Sequence, residues 1–196
     1  MIRLLRTMIL VLGLITLHTS LTYAFDGNRK GFILGGGVGW VPVAHWSADA
    51  DFYGIGFGTH EESRLGYGLQ FVTGGAFNER EALLFEVNIA AFSSNLAHET
   101  IYQAFMGAVW YHYFGEVGNS FFTAAGLGFY TFQVGTYDAT DPGGAVITGG
   151  GYEFAPHWQA GLYLSFGQST DDIRSFHIHG NFEHANLSLL VSGFVF

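Results

Sequence analysis

The sequence predicts an all-β fold: a closed antiparallel eight-stranded transmembrane up-and-down β-barrel, preceded by a cleaved signal peptide. Three observations support this fold class. About eight segments of roughly ten residues alternate polar and apolar side chains, as strands with one wet and one apolar face do. Charged residues make up 12% of the chain and aromatic residues 17%, which leaves few side chains to cover a surface in contact with water. Short and long connections alternate along the chain, which is typical of this barrel class.

Residues 1–24 are interpreted as a secretory signal peptide. Arg3 and Arg6 give a basic start, an apolar run follows, and small residues precede a cleavage site after Ala24. The alternative is a membrane-spanning helix, but the apolar run is shorter than the roughly 18 residues that such a helix needs. The mature protein is therefore predicted to be one barrel domain, residues 25–196.

The charge balance and the absence of cysteine exclude several kinds of partner and site. The chain has 7 Lys and Arg against 16 Asp and Glu, and no cysteine. Nucleic acid is not expected as a partner, because phosphate binding needs clustered Lys and Arg. Without cysteine the chain can have neither a disulfide framework nor a thiolate metal site.

The predicted strands follow one another with turn residues between them. They are residues 31–41, 64–77, 82–92, 101–114, 121–134, 145–155, 158–168 and 182–196. The connections after the second, fourth and sixth strands are short, and the others are longer and richer in acidic residues and histidine. Residues 52–58 could form a further strand, but an odd total would put the two termini on opposite sides of the barrel. They are therefore assigned to the first external hairpin.

The last predicted strand shows the alternation most clearly, and it carries a family resemblance. His184, Asn186 and Ser188 share one face, and apolar residues occupy the other. Counted back from Phe196, however, Phe194 belongs with the polar set, so a bulge near residues 189–192 is predicted to reconcile the two phases. An amphipathic strand ending in an aromatic residue resembles the closing strand of small bacterial outer-membrane β-barrels.

Two further features strengthen this resemblance to the small eight-stranded outer-membrane β-barrel family that includes the OmpX/Ail and opacity-type proteins. They are the glycine-rich first strand, GFILGGGVG, and the strand from Gly149 to Phe154 with its inward glutamate. The resemblance implies a monomeric barrel in the bacterial outer membrane, in contact with membrane lipids and lipopolysaccharide. It implies external loops that serve adhesion, surface protection or envelope integrity. It also implies that the C-terminal strand, with Phe194 and Phe196, is a signal to the outer-membrane assembly machinery.

Aromatic residues near the strand ends are predicted to form girdles at the two membrane interfaces. Those assigned to the periplasmic boundary and the C-terminal strand are Phe77, Phe114, Phe154, Trp158, Phe194 and Phe196. Those assigned to the outer boundary are Trp40, Tyr67, Phe92 and Tyr102.

The barrel interior is predicted to be a hydrogen-bonded polar core, because eight strands enclose a space just wide enough for side chains. Its predicted residues are Arg64, Gln70, Glu86, Asn88, Gln103, Glu153, Gln159 and His184. Glu86 and Glu153 are expected to pair with Arg64 or to share a proton, since an unpaired buried carboxylate is costly. The core is interpreted as a structural plug, and a narrow gated passage or a proton-sensitive core remains the alternative.

No catalytic residue, metal or cofactor is predicted. His177 and His179 would share a face of an extended segment and could hold zinc or copper, but histidines in such loops are more often plain polar surface. His184 and Ser188 lie roughly 13 Å apart along one strand face, too far for a direct contact, and the His-x-Ser-Asn pattern associated with lipid A deacylase barrels is absent nearby. A structural or adhesive barrel, a narrow channel and a lipid A-modifying enzyme remain as three function classes.

Overall fold

The computed structural model describes residues 28–52, 55–95, 97–136, 139–173 and 178–196. The predicted signal peptide, residues 1–24, lies outside these residues. The described part of the chain contains no helix that is long and apolar enough to cross a membrane.

Eight antiparallel strands form a single closed sheet in chain order, in which the last strand pairs with the first. The predicted closed antiparallel eight-stranded barrel is confirmed. The strands are β1 (Gly31–Phe52), β2 (Ile55–Asn78), β3 (Glu81–Ser93), β4 (Thr100–Tyr113), β5 (Ser120–Val134), β6 (Asp141–Ala155), β7 (Trp158–Ile173) and β8 (Ile178–Val195).

The first two strands are longer than predicted, because pairing continues through most of the segment that was expected to be a loop, residues 42–63. The register of β1 shifts against β2 between Val41 and Ala44, and against β8 between Trp40 and Val43. This bulge contains Pro42, which has no N–H to donate and is therefore tolerated where the ladder is interrupted. Beyond the bulge, pairing runs to Phe52 opposite Ile55, which places the predicted ninth-strand candidate in the first hairpin.

The connection between β7 and β8 is also shorter than predicted. Residues 169–181 were expected to form a loop, but the two strands pair out to Ile173 opposite Ile178. A second proline bulge, between Pro142 and Ala145, lets β6 begin four residues earlier than predicted. In each case pairing gives backbone N–H and C=O groups the partners that an irregular loop would have to find elsewhere.

The two ends of the barrel differ in their connections. The turn end carries the tight connections at residues 79–80, 114–119 and 156–157, and the loop end carries the other four. At the first tight turn the side-chain Oδ1 of Asn78 accepts hydrogen bonds from the backbone N–H groups of Arg80 and Glu81, at 2.8 and 3.0 Å. Such an Asx turn explains why the sequence Asn-Glu-Arg-Glu connects two strands without a longer loop.

Large apolar side chains cover the outer face of the barrel. Leu127 is 71% exposed, and more than twenty other large hydrophobic side chains among the described residues are at least one-third exposed. They include Leu34, Val38, Leu65, Leu69, Phe71, Leu83, Phe85, Phe129, Val146, Leu162, Phe166, Leu189 and Val191. A monomer in water rarely exposes a continuous apolar surface of this extent. This apolar belt continues around the sheet.

Aromatic and aliphatic side chains also fill much of the interior, in two clusters. The turn-end core includes Phe105, Val109, Tyr111, Tyr113, Phe122, Tyr130, Tyr163, Leu190, Phe194 and Phe196. The loop-end core is formed by Val41, Ala44, Trp46, Ala90, Phe92, Ile101 and Phe132. Glycine makes room for these rings: a Cβ at Gly167 would lie only 2.5 Å from the Cβ of Tyr130.

Three aromatic residues predicted for the girdles lie inside the barrel instead. Phe194, Phe196 and Phe92 are 4%, 0% and 3% exposed and belong to the two interior cores. The bulge predicted in β8 is absent, because its pairing with β7 runs without a register shift. The inward face therefore continues unbroken from His184 through Ser192 to Phe194. The polar and apolar alternation of β8 changes phase in the sequence because apolar residues, Leu190 and Phe194, occupy its inward face near the turn end.

Candidate functional site

The candidate site is the barrel interior, where most of the predicted polar residues come together. Glu86 on β3 is fully buried and lies at its centre. Its carboxylate accepts hydrogen bonds from Gln70 Nε2 and the Tyr111 hydroxyl, both at 2.7 Å, and from Asn88 Nδ2. Gln70 in turn accepts a hydrogen bond from the Ser192 hydroxyl. All of these donors are neutral, so hydrogen bonds rather than an ion pair satisfy this carboxylate.

The second buried carboxylate, Glu153 on β6, pairs with a cation that the sequence analysis did not identify. Arg29 is fully buried at the turn end, and its Nη2 forms an ion pair with Glu153 Oε2. Its Nη1 donates to the backbone carbonyl of Glu79, and its guanidinium lies 3.7 Å from the centre of the Tyr113 ring. The backbone N–H of Gly118 also donates to Glu153 Oε2, at 2.9 Å. Through these contacts Arg29 and Glu153 join the segment before β1 to strand β6 and to the two tight turns that contain Glu79 and Gly118.

Tyrosine and glutamine side chains link the two carboxylate groups. The hydroxyls of Tyr111 and Tyr163 lie 3.4 Å apart, and Gln159 Nε2 donates to the Tyr163 hydroxyl at 3.3 Å. The Tyr113 hydroxyl donates to Gln159 Oε1 at 3.1 Å. Polar contacts therefore extend from Glu86 to the ring on which Arg29 packs.

Arg64, predicted to pair with Glu86 or Glu153, lies instead at the loop end, so this expectation is wrong. Its Nε donates to Glu62 Oε1 at 2.7 Å, and its side chain is about one-third exposed. Glu62 also accepts hydrogen bonds from the Ser94 hydroxyl and, at 2.8 Å, from the backbone N–H of Asn95. The Glu62 carboxylate thus joins β2 to the connection between β3 and β4. Arg64 therefore pairs with Glu62, two residues away on its own strand, and not with Glu86 or Glu153.

The pKa of Glu62 lies below its ordinary value as a result of these contacts. Partial burial alone would raise the pKa, but the hydrogen bonds from Ser94 and Asn95 and the hydrogen bond and charge of Arg64 outweigh it. Glu62 therefore stays ionised through the neutral range and holds this loop in place.

His184 forms a serine contact that the sequence analysis did not find. Its Nε2 lies 2.8 Å from the hydroxyl of Ser169 on the neighbouring strand, and Gln103 Nε2 lies 3.3 Å from its Nδ1. Gln103 Nε2 also donates to the backbone carbonyl of His45 at 3.2 Å, which fixes the amide with its nitrogen toward the imidazole. This arrangement favours the tautomer in which Nδ1 accepts and Nε2 carries the proton.

The preferred tautomer does not favour nucleophilic catalysis. A histidine that activates serine must accept the hydroxyl proton, whereas the Gln103 contact favours an imidazole that donates to Ser169. Both side chains are also buried, with Ser169 at 0% and His184 at 3% exposed. Tyr130 stacks on the imidazole at 4.8 Å and 11°. In this arrangement the pair is a packed, hydrogen-bonded part of the interior.

The predicted girdle residues other than Phe92, Phe194 and Phe196 lie on the outer face. Phe77, Phe114, Phe154 and Trp158 are 66%, 58%, 50% and 51% exposed near the turn end. Trp40, Tyr67 and Tyr102 are 59%, 69% and 41% exposed on the loop-end half. Their role at membrane interfaces stays a prediction.

The two histidines that the sequence suggests as metal ligands have no described side chains. His177 and the side chain of His179 lie outside the described residues. Among the residues that are described, no group of three or more histidine, aspartate or glutamate side chains is placed to hold a metal ion.

Some of the missed interior residues had a signal in the sequence. Tyr111 and Tyr113 lie eight and ten positions after Gln103 on β4, so they share its face and the inward position of Gln103 would have placed them inside. Tyr163 shares a face with Gln159 on β7 in the same way. Arg29 precedes the first strand and has no such periodicity. The chain has few basic residues that could pair with a buried glutamate, and this scarcity was the only hint that Arg29 lies inside the barrel.

Two solved structures are similar to this barrel along almost their whole length. Neisserial surface protein A (NspA) is 16% identical, with a TM-score of 0.50 over 84% of this chain and 97% of that protein. The outer membrane protein OprG from Pseudomonas aeruginosa is 16% identical, with a TM-score of 0.52 over 88% of this chain and 99% of that protein. The chain has the fold of small outer-membrane β-barrels. No protein-family model and no curated protein sequence matches it.

Proposed function

We propose that this protein is a bacterial outer-membrane β-barrel with a non-enzymatic structural or adhesive role, carried by its acidic loop end. The observation that carries the proposal is the inside-out distribution of side chains. Large apolar residues such as Leu127 and Tyr67 face outward, while Glu86, Glu153 and His184 are buried inside. A closed sheet with an apolar exterior is the β-structure that can span a bilayer, because it leaves no unpaired edge in lipid.

The filled interior favours a structural role over a channel. The two apolar cores and the hydrogen-bonded groups around Glu86 and Glu153 occupy the lumen at successive heights. A polar cavity of about 10 Å³ lies between them, which is far too small for a solute to pass. An interior of this kind stabilises a barrel and leaves the exposed connections to interact with other molecules.

The loop end supplies an acidic surface for such interactions. Its described exposed acidic residues are Asp49, Glu61, Glu99, Asp141 and Glu183. Arg64 is the basic residue at this end in the part of the chain that the structure describes, and it is paired with Glu62. We propose that these carboxylates share Ca²⁺ or Mg²⁺ with the anionic groups of lipopolysaccharide, since hard divalent cations prefer oxygen ligands.

Thermal unfolding of the purified protein in lipopolysaccharide tests whether divalent cations link the loop-end carboxylates to lipopolysaccharide. Addition of Ca²⁺ or Mg²⁺ is expected to raise the unfolding temperature, and replacement of Glu61, Glu99 and Glu183 by glutamine is expected to reduce this increase. Replacement of Glu79 and Glu116, which lie at the turn end, by glutamine serves as the matched control. No effect of divalent cations, or an equal effect in both variants, would contradict the proposed partner.

Two measurements separate this role from its alternatives. In planar bilayers the barrel is expected to give no steady conductance, and the Glu86→Gln variant none either. A conductance that changes in that variant would favour a channel. Mass spectrometry of lipid A from expressing and non-expressing cells is expected to show the same acylation. A change in acylation that disappears in a Ser169→Ala variant would establish an enzyme.

A further inference from the structure

A small polar cavity lies in the interior, between the Glu86 group and the His184 group. Its volume is about 10 Å³, roughly the space that one water molecule needs. The residues whose polar side chains line it are Asn88, Ser165, Asn186 and Ser188, and Ala90 and Leu190 contribute methyl groups. Four polar side chains around a space of this size make a site for a small hydrogen-bonding ligand.

Two acceptor atoms at this cavity have no hydrogen-bond partner among the described residues. They are Oδ1 of Asn88 and Oδ1 of Asn186. Both side chains are more than nine-tenths buried, with 9% and 3% of their surface exposed. A buried acceptor without a donor is rare in native proteins, because it loses its hydration without compensation.

Each amide makes its hydrogen bond through its nitrogen. Asn88 Nδ2 donates to the carboxylate of Glu86, which cannot act as a donor when it is ionised. Asn186 Nδ2 donates to the hydroxyl of Tyr130. In this arrangement Oδ1 of Asn186, like that of Asn88, is an acceptor without a donor among the described residues.

We propose that this cavity is a binding site for one structural water molecule. Water is the ligand that fits both the volume and the chemistry: its two protons satisfy Asn88 Oδ1 and Asn186 Oδ1, and its oxygen can accept a hydrogen bond from Ser165 or Ser188. The bound water joins Asn88 of β3 to Asn186 of β8, and hence the Glu86 group to the Tyr130 and His184 group. These two polar groups would otherwise be separate.

A long-lived bound water is detectable by nuclear Overhauser effects between water and nearby methyl protons. In deuterated protein with labelled alanine and leucine methyl groups, Ala90 and Leu190 are expected to show cross-peaks to water with the sign of a slowly exchanging molecule. Ala124, which is buried but does not line the cavity, is the internal control and is expected to show none. The absence of cross-peaks at both Ala90 and Leu190 would overturn the proposal.

Two variants test whether the asparagine oxygen holds this water. Asn186→Leu removes one acceptor and is expected to abolish the cross-peak at Ala90. Val191→Ala shortens a side chain on the outward face of the same strand, outside the cavity, and is expected to preserve it. A cross-peak that survives in Asn186→Leu would overturn the assignment. Should that variant fail to fold, a high-resolution crystal structure of the unaltered protein decides: one water within hydrogen-bonding distance of both Oδ1 atoms supports the site, and an apolar void or a metal ion there refutes it.

Discussion

At the scale of single residues, the position of Arg29 shows what strand periodicity cannot reveal. Its partner Glu153 lies 124 positions away in the sequence, so their contact exists only in the closed barrel. The sequence predicts Glu153 inside, with either Arg64 or a proton shared with Glu86 to neutralise it, and Arg29 is not a candidate. Arg29 belongs to a short segment before β1, whose course no alternation of side chains predicts.

Replacement of Arg29 by methionine should destabilise the barrel by about 3–5 kcal/mol, because it leaves the buried carboxylate of Glu153 without its charged partner. Equilibrium unfolding by urea in phospholipid vesicles measures the change. The double variant Arg29→Met, Glu153→Gln is expected to recover part of the loss, since the uncompensated charge is then removed as well. If the single and double variants were equally unstable, the ion pair would not be the reason for the burial of Arg29.

The Glu62 contacts predict a pH dependence of the connection between β3 and β4. The pKa of folded Glu62 lies below its ordinary value of 4.5, so its contribution to loop order is fully present above about pH 4.5 and is lost as the pH falls through the folded pKa. The backbone amide resonance of Asn95 is expected to shift, and its hydrogen exchange to accelerate, in that acidic range. A Glu62→Gln variant should show no such transition, and a transition that persists in it would assign the effect to another group.

At the scale of the strands, the alternation of side chains predicted faces well where one face was clearly polar. On β2, β3, β7 and the part of β8 before Leu189, the outward and inward sets follow the predicted alternation. On β4 both faces are aromatic, and hydropathy alone could not distinguish Tyr111 from Trp110. The interior of a narrow barrel accepts aromatic rings where neighbouring strands supply glycine, so an apolar side chain does not identify the outer face.

Strand ends were predicted less well than strand faces. Pro42 was taken to end β1, but the chain passes it in a bulge and then pairs for eight further residues or more. A bulge inverts the alternation locally, which makes a continuing strand resemble a loop in sequence. The same effect at Pro142 concealed the start of β6.

The apolar belt makes a depth-dependent prediction on β5. Leu127 is the most exposed large apolar residue among those described and lies midway along its strand. Leu127→Arg is expected to reduce the unfolding free energy in vesicles by about 2–4 kcal/mol, since a charge at the bilayer midplane is costly. Gln133→Arg, on the same face near the loop end, is the control and should cost about 0–1 kcal/mol. Similar costs at both positions would mean that this face does not lie in a membrane.

At the scale of the whole molecule, the barrel is inverted relative to a soluble one. Polar groups such as Glu86 and His184 are enclosed with aromatic rings, and the wide apolar surface faces outward. A soluble barrel of this size would have to cover its exterior with charged residues, which the composition does not provide. The closed sheet and the outward apolar belt are the features that the proposed membrane-embedded barrel requires.

The four tryptophans allow the most direct test of this inversion. Trp40, Trp110 and Trp158 are 59%, 55% and 51% exposed on the outer face, whereas Trp46 is 7% exposed inside. In single-tryptophan variants folded into vesicles, lipids with brominated acyl chains are expected to quench the three outward residues and to leave Trp46 nearly unaffected. Strong quenching of Trp46, or quenching of the outward tryptophans by aqueous acrylamide but not by the brominated lipids, would contradict the membrane-embedded barrel.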